Sequence, residues 1–344
     1  MELPRFVVIG HGAIQQVGEV CANLKIGRHA LVVADPTTMK IAGEIVLHSL
    51  QERKIRTEEY LIHDADWEAV MAAKEILTSK DVDYALGVGG GRSIDVAKLS
   101  AFHAGVPFVS VPTAASHDGV VSSQASIEKD GQKQSFAAQT PIAVVMDTEI
   151  IAESPFRLLA AGCGDIISNL TAVKDWALGR NLRNEYYSSY ATALSELAAR
   201  LLIENAHTIK PRLKESAWFV AKALVSSGVA MSIAGSSRPA SGSEHKFSHA
   251  LDRLAKKPAL HGEQCGVGTI MMMYLHGGNW EEVRNALLAI GAPTTARALG
   301  LTDDEILEAL IHAHEIHPER YTILGDAGIT HEAAERLAHI TKVI

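Results

Sequence analysis

The sequence predicts an α/β protein in two parts, a parallel-sheet, Rossmann-like domain over residues 1–152 and an all-helical domain over residues 153–344. Three observations carry that reading. Short β-branched runs alternate with amphipathic helical stretches through the first 150 residues, the rhythm of βαβ units around a parallel sheet. Beyond residue 153 strand signals stop, and Ala-, Leu- and Glu-rich helical periods follow one another with breaks at Gly179, Pro211, 235–242, Pro258, Gly277, Pro293 and Gly325. No Ser/Gly linker separates the parts, so they are expected to pack closely and to share a cleft that holds the active site.

In chain order, Gly10-His11-Gly12 tempts as a phosphate loop, but Gln15 stands where G-x-G-x-x-G needs its third glycine, so it is assigned as a plain turn. Strands are expected at 30–34, 84–88 and 107–111, with helices at 41–51, 67–79 and 93–103 between them. Lys129-Asp130-Gly131 joins runs at 124–128 and 134–136, and Asp-Gly is a hairpin turn signal. A further strand is expected at 142–146.

Composition bounds the function. A length of 344 residues suits about two domains, and 47 % hydrophobic with 21 % charged residues is the balance of a packed globular chain. The net charge of −8, with no dense Lys/Arg run, gives no electrostatic footprint for nucleic acid. Cys21, Cys163 and Cys265 lie far apart without CxxC pairing, which suits reduced thiols in a cytoplasm. The N-terminus lacks a signal-peptide pattern and the longest apolar run, 270–275, is too short to span a bilayer, so no stable membrane insertion is expected.

Two groups of residues carry chemistry. Gly89, Gly90 and Gly91 run from a buried strand into a helix that continues Arg92-Ser93-Ile94-Asp95, and consecutive glycines with free N–H groups at a helix start suit a pyrophosphate. A tight strand-to-helix turn needs the same residues. Asp35, at the end of the 30–34 strand, suits a ribose hydroxyl or, equally, a helix cap beside Pro36. The loop after the next strand brings Thr113, Ala114, Ala115, Ser116 and, further on, Ser122 to the same strand ends. In the helical half Asp165 follows two glycines, His245 and His249 stand at i and i+4 on one helical face, and His261-Gly262-Glu263 follows. One carboxylate and two imidazoles suit a divalent metal with positions left open, although an H-x-x-x-H pair also occurs as an ordinary surface pair.

In this order, GVGGGRSIDVAK, SVPTAASHDG, AAGCGDIISN, SRPASGSEHKFSHAL and LHGEQCG resemble the superfamily of metal-dependent polyol dehydrogenases that includes glycerol dehydrogenase, iron-containing alcohol dehydrogenases and dehydroquinate synthase. The likeness is greatest to the archaeal sn-glycerol-1-phosphate dehydrogenases, over essentially the whole chain, with TAASHDG, SRPASGSEH and ERYTIL as the specific marks. The resemblance implies a dehydroquinate synthase-like fold, with Asp165, His245 and His261 as metal ligands, usually to zinc. It implies that 91–95, 113–116 and Ser122 bind NAD(H) or NADP(H), and that Asp118, Asp165 and His249 touch substrate. The implied reaction is reduction of dihydroxyacetone phosphate to sn-glycerol 1-phosphate, for the glycerophosphate backbone of archaeal ether lipids, by a homo-oligomer. The rivals are a glycerol dehydrogenase acting on unphosphorylated substrate and a lyase of the dehydroquinate synthase type.

Overall fold

The structure, a computed structural model, describes residues 2–344. The chain packs as two compact units, one running to Leu159 and including Pro211–Gly228, the other made of Ala160–Lys210 and Val229–Ile344. A single cut at residue 152 is therefore corrected, because the segment 211–228 returns to the first unit.

The first unit is built on six strands, β1 (Phe6–Gly10), β2 (His29–Ala34), β3 (Arg56–Leu61), β4 (Tyr84–Gly89), β5 (Phe108–Pro112) and β8 (Ala143–Asp147). They lie in the order β1-β8-β5-β4-β2-β3, every neighbouring pair parallel. The helices α1 (Val17–Leu24), α2 (Pro36–Thr38), α3 (Glu44–Glu52), α4 (Trp67–Ser79), α5 (Gly91–Ala104) and α6 (Thr148–Glu153) connect or follow these strands. Leu31, Val32, Leu86, Val88, Val109, Val144 and Val145 are buried, as expected where a parallel sheet is covered. β6 (Gln124–Lys129) and β7 (Gln132–Ala137) form a separate antiparallel hairpin, and Asp130 and Gly131 take positive φ of 55° and 72°, the requirement of a type I′ turn.

β1 and β3, which periodicity does not assign, are the two edge strands. β3 reads RTEEYL, whose polar residues suit a half-exposed edge and hide the strand signal. Gly12 turns the chain at φ 67° ahead of the first helical turn, as a plain turn should.

Among the described residues the second unit holds no strand. Its helices are α7 (Phe156–Arg183), α8 (Ser189–Glu204), α9 (Lys214–Ala234), α10 (Ser243–Leu254), α11 (His261–Leu275), α12 (Trp280–Ile290), α13 (Ala296–Leu299), α14 (Asp303–His312) and α15 (His331–Ile340), the division between units falling inside α7 and α9. The break expected at Gly179 is corrected, since α7 runs through it. A Cβ there would lie 2.3 Å from Oε2 of Glu185 and 2.7 Å from Nη2 of Arg238, so the glycine serves close packing. α9 is long and apolar enough to cross a membrane by length and composition alone; 56 % of its apolar window is buried in protein, with Val220, Ala221 and Leu224 in the core.

Candidate functional site

In the first unit the glycine turn and the loop after β5 meet through sheet register. Gly89 pairs with Pro112, and the Thr113 N–H donates to the Gly89 carbonyl at 2.9 Å. Gly89 takes φ +149°, which a side chain rarely adopts, and a Cβ there would strike Ser93 Oγ and Thr38 Oγ1. Gly90 caps α5 without a side-chain bond, and a Cβ on it would meet nothing within 4 Å. The start of α5 thus offers its first N–H groups, those of Gly91, Arg92 and Ser93, together with the positive end of the helix dipole.

The remaining residues of the segment differ among themselves. Ile94 is wholly buried, and Asp95 accepts from Ser126 N at 3.1 Å and from Lys98 Nζ at 3.3 Å, so these two side chains pack the unit's interior. Lys98 also donates to the carbonyls of Gly119 and Gln124 at 2.5 Å, fixing the loop that carries Asp118 and Ser122. Burial pulls the Lys98 ammonium down, and Asp95 opposes it. Asp35 is a helix cap. Its Oδ1 accepts from Thr37 N at 2.8 Å and Thr38 N at 3.0 Å, while Oδ2 takes no hydrogen bond among the described residues. Thr113, Ala114, Ala115 and Ser122 are buried in the loop and Ser116 is partly exposed. Asp118 Oδ2 accepts from Ser227 Oγ at 2.7 Å, which sets the carboxylate's orientation.

In the second unit three helices bring the other candidates together. α7 and α11 cross where glycines leave no room for side chains: a Cβ on Gly262 would lie 2.0 Å from the Ala161 carbonyl oxygen, and one on Gly164 would lie 2.3 Å from that of Gly262. This contact places Asp165 beside His261, and α10 adds His245. His245 Nε2 lies 3.7 Å and His261 Nε2 3.6 Å from Asp165 Oδ1. Four donor atoms, from Asp165, His245, His261 and Cys265, lie within 4.8 Å of one another. Tetrahedral coordination at 2.0–2.1 Å separates donors by about 3.4 Å, so the carboxylate and both imidazoles fit one cation. His249, Asp252 and His261 form a second, more exposed grouping that shares His261.

The surrounding bonds hold both imidazoles through Nδ1, so that each Nε2 faces Asp165, with Cys265 Sγ 3.6 Å from His261 Nε2. His245 Nδ1 pairs with Glu244 Oε1 at 3.0 Å, and Glu244 in turn accepts from Thr171 Oγ1 and Gly242 N, each at 2.6 Å. His261 Nδ1 pairs with Ser248 Oγ at 3.2 Å, and Gln264 Nε2 donates to that hydroxyl at 2.9 Å. These supports fix ring orientation and tautomer, as second neighbours of a metal do. Burial works against a charge on His245, yet Cys265 and Glu244 outweigh it and lift the imidazole well above its ordinary value. Burial pushes the Cys265 thiol up to about 11, with His245 pulling the other way. His249 stands one turn beyond His245, its ring 5.6 Å from that of His261; burial lowers its basicity while Asp252 raises it.

Glu244, Ser248, Gln264 and Cys265 are neighbours of the candidate cluster that sequence reasoning missed. Cys265 follows His261 by four residues on the same helical face, a signal available in the sequence, whereas Ser248 and Gln264 are identified only by packing.

Comparison with known proteins follows this geometry. The profile of the iron-containing alcohol dehydrogenase family matches residues 8–155. Glycerol-1-phosphate dehydrogenase (NAD(P)+) of Methanosarcina acetivorans is 60 % identical over 344 residues, covering 100 % of this chain and 96 % of the relative. The enzyme of that name from Methanothermobacter thermautotrophicus is 55 % identical, covering 100 % and 99 %. The chain belongs to the glycerol-1-phosphate dehydrogenase family. Solved structures agree in fold: a probable glycerol dehydrogenase from Sinorhizobium meliloti superposes with TM-score 0.79 at 21 % identity over 99 % of this chain and 98 % of that one, and glycerol dehydrogenase from Schizosaccharomyces pombe with 0.80 at 20 %, over 98 % and 90 %. The first unit's parallel sheet and the helical remainder are those of this glycerol-1-phosphate dehydrogenase family's wider fold.

Proposed function

We propose that the protein reduces dihydroxyacetone phosphate to sn-glycerol 1-phosphate with NADH or NADPH, supplying the glycerophosphate backbone of archaeal membrane ether lipids. The observation that carries the chemistry is the convergence of one carboxylate and two imidazole Nε2 atoms at 3.6–3.7 Å. The observation that supports the substrate is 60 % identity along the whole chain to an enzyme named for that product.

Asp165, His245 and His261 hold one divalent cation, and the two imidazoles favour zinc over the harder ions. Bound there, the cation supplies Lewis-acid polarisation of a carbonyl and the nicotinamide supplies hydride. The chain's own residues do the rest. Glu244 and Ser248 hold both imidazoles with Nε2 turned to the Asp165 carboxylate. His249, on the face of α10 shared with His245, contacts substrate and holds a proton for the product alkoxide. The first N–H groups of α5, at Gly91, Arg92 and Ser93, bind the cofactor pyrophosphate, with Gly89 and Gly90 giving close approach. Asp35 Oδ2 accepts from a ribose hydroxyl, and the backbone of 113–116 with Ser122 lines the cofactor; the side chains of Ile94 and Asp95 hold this segment from behind. Asp118, oriented by Ser227, contacts substrate.

We further place the enzyme in the cytoplasm, its three thiols being unpaired. It is read as a homo-oligomer, with the exposed Tyr190, Leu197 and Leu201 of α8 as the surface to examine by light scattering.

The test follows NADH and NADPH oxidation by zinc-loaded protein with dihydroxyacetone phosphate and, in parallel, unphosphorylated dihydroxyacetone. Turnover of the phosphate ester, yielding a product that sn-glycerol-3-phosphate dehydrogenase does not oxidise, is expected. Turnover of dihydroxyacetone alone would assign a glycerol dehydrogenase, and no net cofactor oxidation would favour the lyase.

A further inference from the structure

α10 carries an unusual cation beside the metal cluster. Lys246 is only 4 % exposed, yet its ammonium makes no side-chain hydrogen bond and no ion pair among the described residues. A buried ammonium without a partner is costly, and such groups persist where a ligand answers them. It stands three residues before His249, hence on the same helical face.

Two carboxylates, Asp175 and Glu319, attract Lys246, and both are engaged by other groups, Glu319 by His317 at 3.2 Å and Arg320 at 3.8 Å. Asp175 attracts Lys246, but that carboxylate already accepts from Ser243 N at 2.7 Å, Ser243 Oγ at 2.6 Å and Ile323 N at 2.6 Å, and pairs with His276 Nε2 at 3.1 Å. Arg238 repels Lys246 and is itself neutralised by Glu185, at 2.7 and 2.8 Å from Nε and Nη2. Its Nη2 also donates to the Tyr321 carbonyl at 2.9 Å and so fastens the segment that carries Arg320. Arg320 is a second cation near Lys246 whose Nη1 donates to Ser237 Oγ at 2.9 Å. Its nearest carboxylate, Glu319, is 3.8 Å away on a side chain that is 64 % exposed.

Lys246 and Arg320 thus form a buried-to-half-buried cationic pair that Glu319, 3.8 Å from Arg320 and largely exposed, answers only in part, and Lys246 directly follows His245 of the cluster. The His317 ring feels the charge of both and lies 6.3 Å from the His249 ring, which lies 5.6 Å from that of His261. A ligand that carries both a polarisable carbonyl and a dianion presents the two chemistries that the cluster and the cations answer. In dihydroxyacetone phosphate one methylene and one ester oxygen separate the two. A planar guanidinium and a compact ammonium are the side chains that bind phosphate oxygens by charge-assisted hydrogen bonds.

Resting on the reaction proposed above, we propose that Lys246 and Arg320 form the subsite that binds the phosphate group of the substrate. The test compares wild type, Lys246→Met, Arg320→Met and Lys246→Arg, all zinc-loaded, and reads the ratio of kcat/KM for dihydroxyacetone phosphate to that for dihydroxyacetone. It also reads inhibition by inorganic phosphate. The ratio is expected to fall about 100-fold in Lys246→Met and at least about 10-fold in Arg320→Met, with phosphate inhibition weakened in step and partial recovery in Lys246→Arg. A ratio within about threefold of wild type in both Met variants would overturn the subsite while leaving the reaction standing. Failure of the wild type to reduce dihydroxyacetone phosphate would overturn the reaction and the subsite together, so the two failures are told apart in the wild-type arm. Arg320, being only partly buried, reads the same ratio should Lys246→Met fail to fold by circular dichroism.

Discussion

Glu244 shows how a single side chain can orient a proposed metal site that it does not join. Fully buried, it accepts from Thr171 and Gly242 and holds His245 by Nδ1, so the histidine's Nε2 is committed to the Asp165 side. Glu244→Gln keeps size but removes the charge and turns one of its two accepting oxygens into a donor. It is expected to weaken zinc affinity by about 10–100-fold in chelator competition, with the circular dichroism spectrum unchanged. The proposed ligands Asp165, His245 and His261 have local signals in the sequence, a carboxylate after two glycines, an i, i+4 pair of His245 with His249 and a following His-Gly-Glu, and the family resemblance orders them. Glu244 and Gln264 were not, because their worth lies in partners 73 and 16 residues away. Lys246 was visible as a charge and unreadable as a buried one. Asp35 was open between two roles in the sequence, and the structure gives its Oδ1 to the cap of α2.

Elements position these side chains through backbone contact. α7 crosses α11 so closely that Gly262 has the Ala161 carbonyl where a Cβ would be, at 2.0 Å. Gly262→Ala therefore forces the helices apart and is expected to lower stability by about 3 kcal/mol or more, read as a lower Tm, and to cost metal affinity with it. Gly90→Ala is the opposite case. Its φ of −77° is open to alanine and a Cβ there meets nothing within 4 Å, so Tm should stay within about 2 °C while the KM for NAD(P)H rises. An unchanged KM would remove the start of α5 from the cofactor site. Gly179 marks the limit of sequence rules at this scale, since a glycine in a helical run signals a break or a close approach, and here Glu185 and Arg238 decide for the second. The edge strands β1 and β3 mark it too, because half-exposed strands lack the continuous apolar run that revealed β2, β4 and β5.

At the scale of the whole chain, the α/β part followed by a helical part was readable because periods of 2 and 3.6 residues separate cleanly near residue 153. The return of 211–228 to the first unit was not readable, since nothing local in an amphipathic helix says which core it joins. A cation bound by Asp165, His245 and His261 stabilises the folded chain by linkage, about 2.7 kcal/mol at a free concentration 100 times Kd. Chelation is expected to lower Tm by roughly 4 °C in differential scanning calorimetry, a shift that zinc reverses. The most direct test of the central claim measures bound metal and dihydroxyacetone phosphate-dependent NADPH oxidation on the same samples, for wild type and His261→Ala, after chelation and after zinc return. The account predicts about one zinc per wild-type chain with activity lost and restored in step, and a folded His261→Ala protein with neither. Undiminished reduction by the chelated wild type, or by His261→Ala, would contradict it.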